Sequence, residues 1–322
     1  MRIAIVGSGF AGLALCTALI DQKSRVDVFD HMGFSGGASG ISAGLLHTYA
    51  GKHAKKNWHG DAAFDEAVNL LQTSSTALNQ KTFQHSGMLR LAMSPQQEED
   101  FHFCASSYED VHWMDADKCT KSYPYLPEKP GIFIKTALTV YPQLHLEGMK
   151  RYCERLGACF LFDKVQTLEQ LSLYDKIIIC SGANAKDLVP IKTRSIKGQI
   201  LQLSWPKEIP PLPFPVNSRV YIAMASDNTS CFVGATFERT FIHEETDLEA
   251  AKEELLPMAY EILPFLKDSK ILDCKAGIRC STPDHKPIIE QVDSRTWVYT
   301  GLGSKGLLYH AYFANQLASR LV

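Results

Sequence analysis

The opening stretch "RIAIVGSGFAGLALCTALI", residues 2–20, constrains the fold most. Its apolar run Ile3–Val6 is a short buried strand, the GxGxxG turn follows at once, and a helix-forming segment runs to about Ile20. The three glycines differ in what they permit. Gly7 makes the tight turn, Gly9 lets a pyrophosphate approach the backbone, and Gly12 lets helix and strand pack closely. Ala11 lies in the same first helical turn, whose N–H groups and dipole favour an anion. The next strand, "RVDVFD", ends in Asp30, at the spacing of a carboxylate that binds a ribose hydroxyl. Strand, turn, helix, strand and acid together predict an α/β, Rossmann-type dinucleotide-binding unit. The stretch Ile3–Ile20 carries no charge and so resembles a membrane span or a signal sequence. Its glycines, and Asp21 without a small-residue cleavage pattern, argue against both, and no membrane partner is expected.

With 322 residues the chain is long enough for two domains. A formal net charge of −2 leaves no global footprint for nucleic acid, so no DNA partner is expected and any RNA must be met by a local basic patch. Nine cysteines, an odd number without a CxxC pair, suit reduced thiols in a cytoplasmic protein and predict no structural metal.

Three further segments bear on the dinucleotide. "GGASGISAGLLHTYAG", residues 36–51, alternates glycines and small residues, including Ala38, Ser39 and Gly44, before Leu45. Such a backbone can pass close to an extended cofactor, which favours FAD over NAD; the alternative is a mobile surface loop. "KIIICSGANA" is a continuous apolar strand that ends in a Ser181–Gly182 turn, as a parallel strand beneath a cofactor does. "TGLGSKGLLYHAY", residues 300–312, places Gly301, Gly303 and Gly306 between the last strand and a terminal helix, an N-terminus able to hold a developing negative charge. The alternative there is a plain helix capped by Ser304.

These segments, with "VYIAMASDNTSCFVGATFE" (220–238) and "AGIRCSTPDHKPII" (276–289), resemble the D-amino-acid oxidase-like FAD-dependent oxidoreductases, which include glycine and sarcosine oxidases. The resemblance spans the whole chain in order. Within the family the pattern is most similar to the FAD-dependent C-terminal half of a bifunctional enzyme that makes methylaminomethyl-uridine at the tRNA wobble position. It implies a glutathione-reductase-like FAD-binding domain with an antiparallel-β substrate domain, and oxidation of a CH–NH bond. It also implies a backbone contact from Val165 to adenine, and a flavin ring near the turn of Gly301, Gly303, Ser304, Lys305 and Gly306. Thr48, Lys305 and Glu290 depart from the relatives' proline, arginine and glycine, and the charge of Glu290 puts the cofactor edge in question.

Along the chain, helices are expected at about Trp58–Asn79, from Pro95, at Leu144–Leu156 and at Asp247–Leu263. From Lys197 the texture becomes β-rich, interrupted by the proline-rich Pro206–Pro215 connection. The domains are therefore discontinuous: residues 1–81, 143–196 and 271–322 bind FAD, and 82–142 and 197–270 form the substrate domain.

On the substrate side, a guanidinium offers two parallel donors to a carboxylate, and the resemblance makes Arg279 that clamp; the alternative is an ion pair with Asp284. Tyr221 matches a position from which a tyrosine reaches the same carboxylate, or else packs in the core. His47 either assists the chemistry or packs. "YAGKHAKKNWHG", residues 49–60, gathers Lys52, His53, Lys55, Lys56 and His59 around Trp58, suiting either RNA phosphates or a solvated face. The expected substrate is an amine with a carboxylate, an N-substituted glycine unit carried on tRNA wobble uridine. The alternatives are a small-molecule glycine, sarcosine or D-amino-acid oxidase, and a flavin-bound RNA-binding protein without turnover.

Overall fold

The computed structural model describes residues 1–321. A six-stranded sheet has the spatial order Cys159–Leu161, Arg25–Phe29, Arg2–Val6, Lys176–Ile179, Thr296–Thr300, Ile288–Gln291. The first five strands are parallel and the last is an antiparallel edge. Ile3, Ile5 and Ile177–Ile179 are completely buried because helices or loops cover both faces of this sheet, which is why these strands read as unbroken apolar runs. The apolar segment at the N-terminus is thus split into a buried strand and the helix Phe10–Asp21. That helix is buried nearly all round, against helices Pro142–Arg155 and Gly306–Leu321. No helix among the described residues is long and apolar enough to cross a membrane.

An eight-stranded sheet forms the second layer. Its order is Ile271–Ser281, Arg194–Ser204, Ser230–Gly234, Tyr221–Met224, Val216–Asn217, Met88–Leu91, Gly131–Ile134, Val111–Met114. Every pairing is antiparallel except Val216–Asn217 with Met88–Leu91. Helix Leu248–Ile262 covers it, capped by Asp247, whose Oδ1 accepts from the Ala250 N–H at 3.0 Å, and it continues through Pro257. The Ile271–Ser281 strand, grouped by sequence with the FAD-binding segments, instead pairs along its whole length with Arg194–Ser204. The physical reason is its hydrogen-bond ladder: an eleven-residue antiparallel partner outcompetes the nucleotide sheet, whose edge Ile288–Gln291 already fills. Leu138–Val140 joins the short strands Leu45–Leu46 and Phe83–Gln84 in a small separate sheet.

Behind the first helix, a buried polar chain runs from Ser75 through Thr82 and Ser74 to His145, and His145 Nε2 meets His310 Nε2 at 3.0 Å. It ties three helices together, and burial keeps both rings neutral.

Close packing of the first helix on its strand depends on Gly12, where a Cβ would fall directly on the Gly7 carbonyl oxygen. Gly12→Ala is expected to cost about 1–3 kcal/mol through overpacking, read as a lowered midpoint in chemical denaturation.

Candidate active site

Three strand ends meet at the first turn. The Gly7 N–H donates to Phe29 O at 2.8 Å and the Cys180 N–H donates to Val6 O at 2.7 Å. Gly7 has φ +106°, and a Cβ there would lie 2.6 Å from the Cys180 carbonyl oxygen, so only glycine turns the chain here. Asp30 accepts from the Ser8 N–H and hydroxyl through Oδ2, at 2.7 and 2.8 Å, and from the Met32 N–H through Oδ1 at 2.9 Å. Its carboxylate thus holds the glycine turn and retains lone-pair capacity on Oδ1. Ser39 Oγ accepts from the Phe10 N–H at 3.1 Å, which seats the 36–51 loop on the helix N-terminus. The N–H groups of Ala11 and Gly12 have no intrahelical acceptor.

Nearly all the residues singled out by sequence line one cavity of about 1340 Å3. Gly7, Gly9, Ala11, Asp30, Ala38, Ser39, Gly44, Leu45 and Val165 line one part. Ser181, Gly182, Gly301, Gly303, Ser304, Lys305 and Gly306 line another, and His47, Tyr221 and Arg279 complete the wall. Gly12 does not line it, being spent on packing. The cavity exceeds the usual 300–1,000 Å3 of a small-molecule pocket, room for an extended dinucleotide and a substrate beside it.

Two observations test the fit to FAD. Ser181 Oγ is buried in the wall without a hydrogen-bond partner, as a group awaiting a ligand would be. A Cβ on Gly9 would reach 2.9 Å from Ser39 Oγ, the atom that accepts from the Phe10 N–H, so the bare backbone lets the 36–51 loop sit on the helix N-terminus beside the cavity. Residues and space fit the cofactor. The cap proposed for Ser304 does not form: Ser304 is exposed within the 3-10 turn Gly303–Lys305, and the helix begins at Gly306.

Arg279 lies on the cavity face of its strand, its guanidinium packed over Gly198 and donating to Thr236 O at 3.4 Å. Asp284 does not pair with it, because the Asp284 carboxylate accepts instead from the Lys286 N–H. No carboxylate among the described residues neutralises Arg279, and burial lowers its pKa. Buried Lys197, by contrast, has Glu238 at 3.8 Å. Tyr221 occupies the space left by Gly234, with its hydroxyl free of hydrogen bonds among the described residues; burial raises its pKa and the Arg279 charge counteracts this.

His47 Nδ1 accepts from the Tyr49 N–H at 3.2 Å, which leaves the proton on Nε2. Burial, aided by the Arg90 charge, pushes its pKa down to about 3. This neutral Nε2–H ring is a hydrogen-bond donor, not the base that a proton-accepting role requires.

Two of the five basic residues of the 49–60 run are taken up by ion pairs. His53 Nδ1 meets Asp100 at 2.5 Å, and Lys56 pairs with Asp61 at 2.7 Å and lies over the Tyr108 ring. Lys52 alone of the run's cations lines the cavity, with the exposed acids Glu244 and Glu245. Half-exposed Trp58 lies under Lys286. Glu290 is exposed on the edge strand and away from the cavity, so its charge leaves the cofactor edge untouched. Arg90, Asn217 and Ser218 line the wall and were missed: Arg90 lies in "GMLRLAM", where the alternation signals only a strand.

A parallel nucleotide sheet, a second, largely antiparallel sheet and a shared cavity make up an α/β flavoenzyme architecture. The sequence profile of the family described as FAD dependent oxidoreductase (DAO) matches residues 2–320, and the chain belongs to that family. It is 26% identical over 369 residues to the tRNA 5-methylaminomethyl-2-thiouridine biosynthesis bifunctional protein MnmC of Polaromonas naphthalenivorans, covering 99% of this chain and 56% of that one. The chain thus spans about half the length of the MnmC relatives. The uncharacterized oxidoreductase YurR of Bacillus subtilis is 23% identical, with 98% and 93% covered. Among solved structures, glycine oxidase from Geobacillus kaustophilus superimposes with a TM-score of 0.87 at 21% identity, covering 99% of this chain and 95% of that one. Iminodiacetate oxidase from Chelativorans sp. BNC1 gives 0.85 at 21%, again with 99% and 95% covered.

Because His47 stays neutral in the fold but has an ordinary pKa near 6.5 when unfolded, its contribution is intact above about pH 6.5 and is lost as pH falls toward 3. His47→Gln is expected to reduce the stability lost between pH 7 and pH 5 by about 1–2 kcal/mol, measured by denaturant titration at both pH values.

Proposed function

We propose that this FAD-dependent oxidoreductase oxidises the CH–NH bond of an N-substituted glycine unit, with carboxymethylaminomethyl-uridine in tRNA as the leading substrate. The observation that carries the amine-acid part is the half-buried guanidinium of Arg279 in the cavity wall, with no carboxylate beside it among the described residues. A partly desolvated cation without a countercharge favours the arrival of an anion, and a substrate carboxylate is the matching bidentate acceptor.

The chain's own residues then divide the work. Gly7, Gly9 and Ala11 would hold the pyrophosphate, Asp30 a ribose, Val165 the adenine side, and Ser39, Gly44, Leu45, Ser181 and Gly182 the middle of the cofactor. The Gly301–Gly306 turn, entering a helix N-terminus, would stabilise negative charge on the ring. Bound FAD supplies the acceptor for the two electrons and the hydrogen that leave the carbon beside the amine nitrogen. Arg279 grips the carboxylate, Tyr221 donates its hydroxyl to it, and the pair fixes the carbon's position. His47 orients through its Nε2–H, so the amine must lose its proton to solvent or arrive neutral.

Similarity to MnmC supports the tRNA substrate, and Lys52 at the cavity wall suits a phosphate, while half-exposed Trp58 beneath Lys286 offers a separate stacking surface for a base. The likeness to glycine oxidase and the ion-paired state of His53 and Lys56 favour the second reading, a free amino acid.

Anaerobic mixing of the FAD-loaded protein with modified tRNA, glycine and sarcosine separates these readings. Bleaching by the tRNA alone, lost on Lys52→Ala, supports the tRNA substrate; bleaching by glycine or sarcosine alone supports the small-molecule reading, and none by any amine removes the amine reading. With the reactive amine, Arg279→Met is expected to lower kcat/KM at least ~30-fold, equivalent to about 2 kcal/mol, chiefly through KM.

A further inference from the structure

The cavity wall holds a second arginine, Arg90, buried more deeply than Arg279, which the amine chemistry above does not use. Arg90 is 7% exposed and stands on the Met88–Leu91 strand. It pairs in register with Asn217, Asn217 with Tyr221, Tyr221 with Gly234, and Gly234 with Ile200. Residues directly opposite in a sheet share a face, so this row crosses the cavity floor. The Arg279 guanidinium lies over Gly198, two residues from Ile200 on the same face. The floor therefore carries a cation toward each end, with Asn217 and Tyr221 between them.

The protein gives Arg90 a ring and two carbonyls but no countercharge: its guanidinium lies 5.2 Å from the centre of the Phe101 ring. Nη1 donates to Tyr49 O at 3.3 Å and Nη2 to Gly51 O at 2.6 Å, which uses two of five N–H donors and supplies no countercharge. The acids of this region are engaged elsewhere: Asp100 with His53, and Asp110 with Tyr49 and Thr136. Beside Asn217, Ser218 Oγ is buried in the same wall with no partner. Two carbonyls suffice to hold the 49–51 backbone, but a buried cation without an anion is strongly unfavourable.

We propose that Arg90 is a second anion-binding group, so that the substrate carries a further acidic group, carboxylate or phosphate, at the end remote from its glycine carboxylate. This rests on the reading of Arg279 as the first clamp. Four interstrand steps separate the Arg90 strand from that of Gly198, roughly 19 Å along a flat sheet. Both side chains shorten that span by their reach. Glycine and sarcosine fill the Arg279 end only; an extended amine with two anionic groups fills both.

The test uses the FAD-loaded protein and unreactive acids, with binding read by titration calorimetry. Straight α,ω-dicarboxylates of about four to ten carbons are compared with monocarboxylates of the same length, and ω-phosphonocarboxylates are run beside them. The expected result is one chain length at which the diacid binds at least ~10-fold more tightly than its monoacid. Arg90→Gln removes that excess and leaves the monoacid Kd within about 2-fold, whereas Arg90→Lys retains part of it. A still tighter phosphonate assigns the second group as phosphate rather than carboxylate.

Equal binding of diacid and monoacid at every length overturns the inference without any variant, even if Arg90→Gln fails to fold. So does an excess that survives Arg90→Gln. Monoacid binding indifferent to Arg279→Met removes the clamp reading, and this inference with it, which is a distinct result from failure at Arg90.

Discussion

Contact between the first and last helices is the constraint on which the site depends. Phe10 lies against Gly306, where a Cβ would come 3.3 Å from its ring, and Phe10 also packs beside His145 and His310. Because Arg2–Val6, Lys176–Ile179 and Thr296–Thr300 are consecutive in the sheet, the glycine turns that follow them open onto the same cavity. Two helix N-termini, formed at opposite ends of the chain, thus face one space. That is the electrostatic environment that a pyrophosphate and a reducible ring require.

The second sheet gives this space its chemistry. Its floor is built from strands whose small residues, Gly198, Gly234 and Gly277, leave room for the large polar side chains beside them. Arg279 lies across Gly198 and Tyr221 fills the gap at Gly234, while Gly277 lets Ile41 and Ala38 of the cofactor loop press on the strand. Positive charge is held in place by shape rather than by counterions. On the proposed reading, an anionic substrate would supply the countercharge that the protein itself does not place beside these arginines.

What the sequence revealed follows from range. The tight turn at Gly7 and the close packing at Gly12 were legible because both are local to one strand–turn–helix unit, and Asp30, at the end of the next strand, reaches that turn through Ser8. Gly301–Gly306 was legible for the same reason, although the Ser304 cap was not, since a 3-10 turn delays the helix to Gly306. Long-range pairing was less visible. Residues 271–281 were grouped with the FAD-binding segments, and nothing local states that they pair with 194–204 rather than with the nucleotide sheet. Charge compensation was the least accessible property. His53 and Lys56 read as free cations until Asp100 and Asp61 were placed beside them, and Arg90 gave no signal because neither its burial nor its missing partner is encoded nearby.

FAD and the Arg279 guanidinium must share one cavity for this chemistry to run. The most direct test is a visible-spectrum titration of the FAD-loaded protein with a simple carboxylate such as acetate or glycolate. A saturable perturbation of the flavin bands that disappears in Arg279→Met while FAD is retained is the predicted result. A spectrum indifferent to carboxylates, or a perturbation unchanged without Arg279, would contradict it.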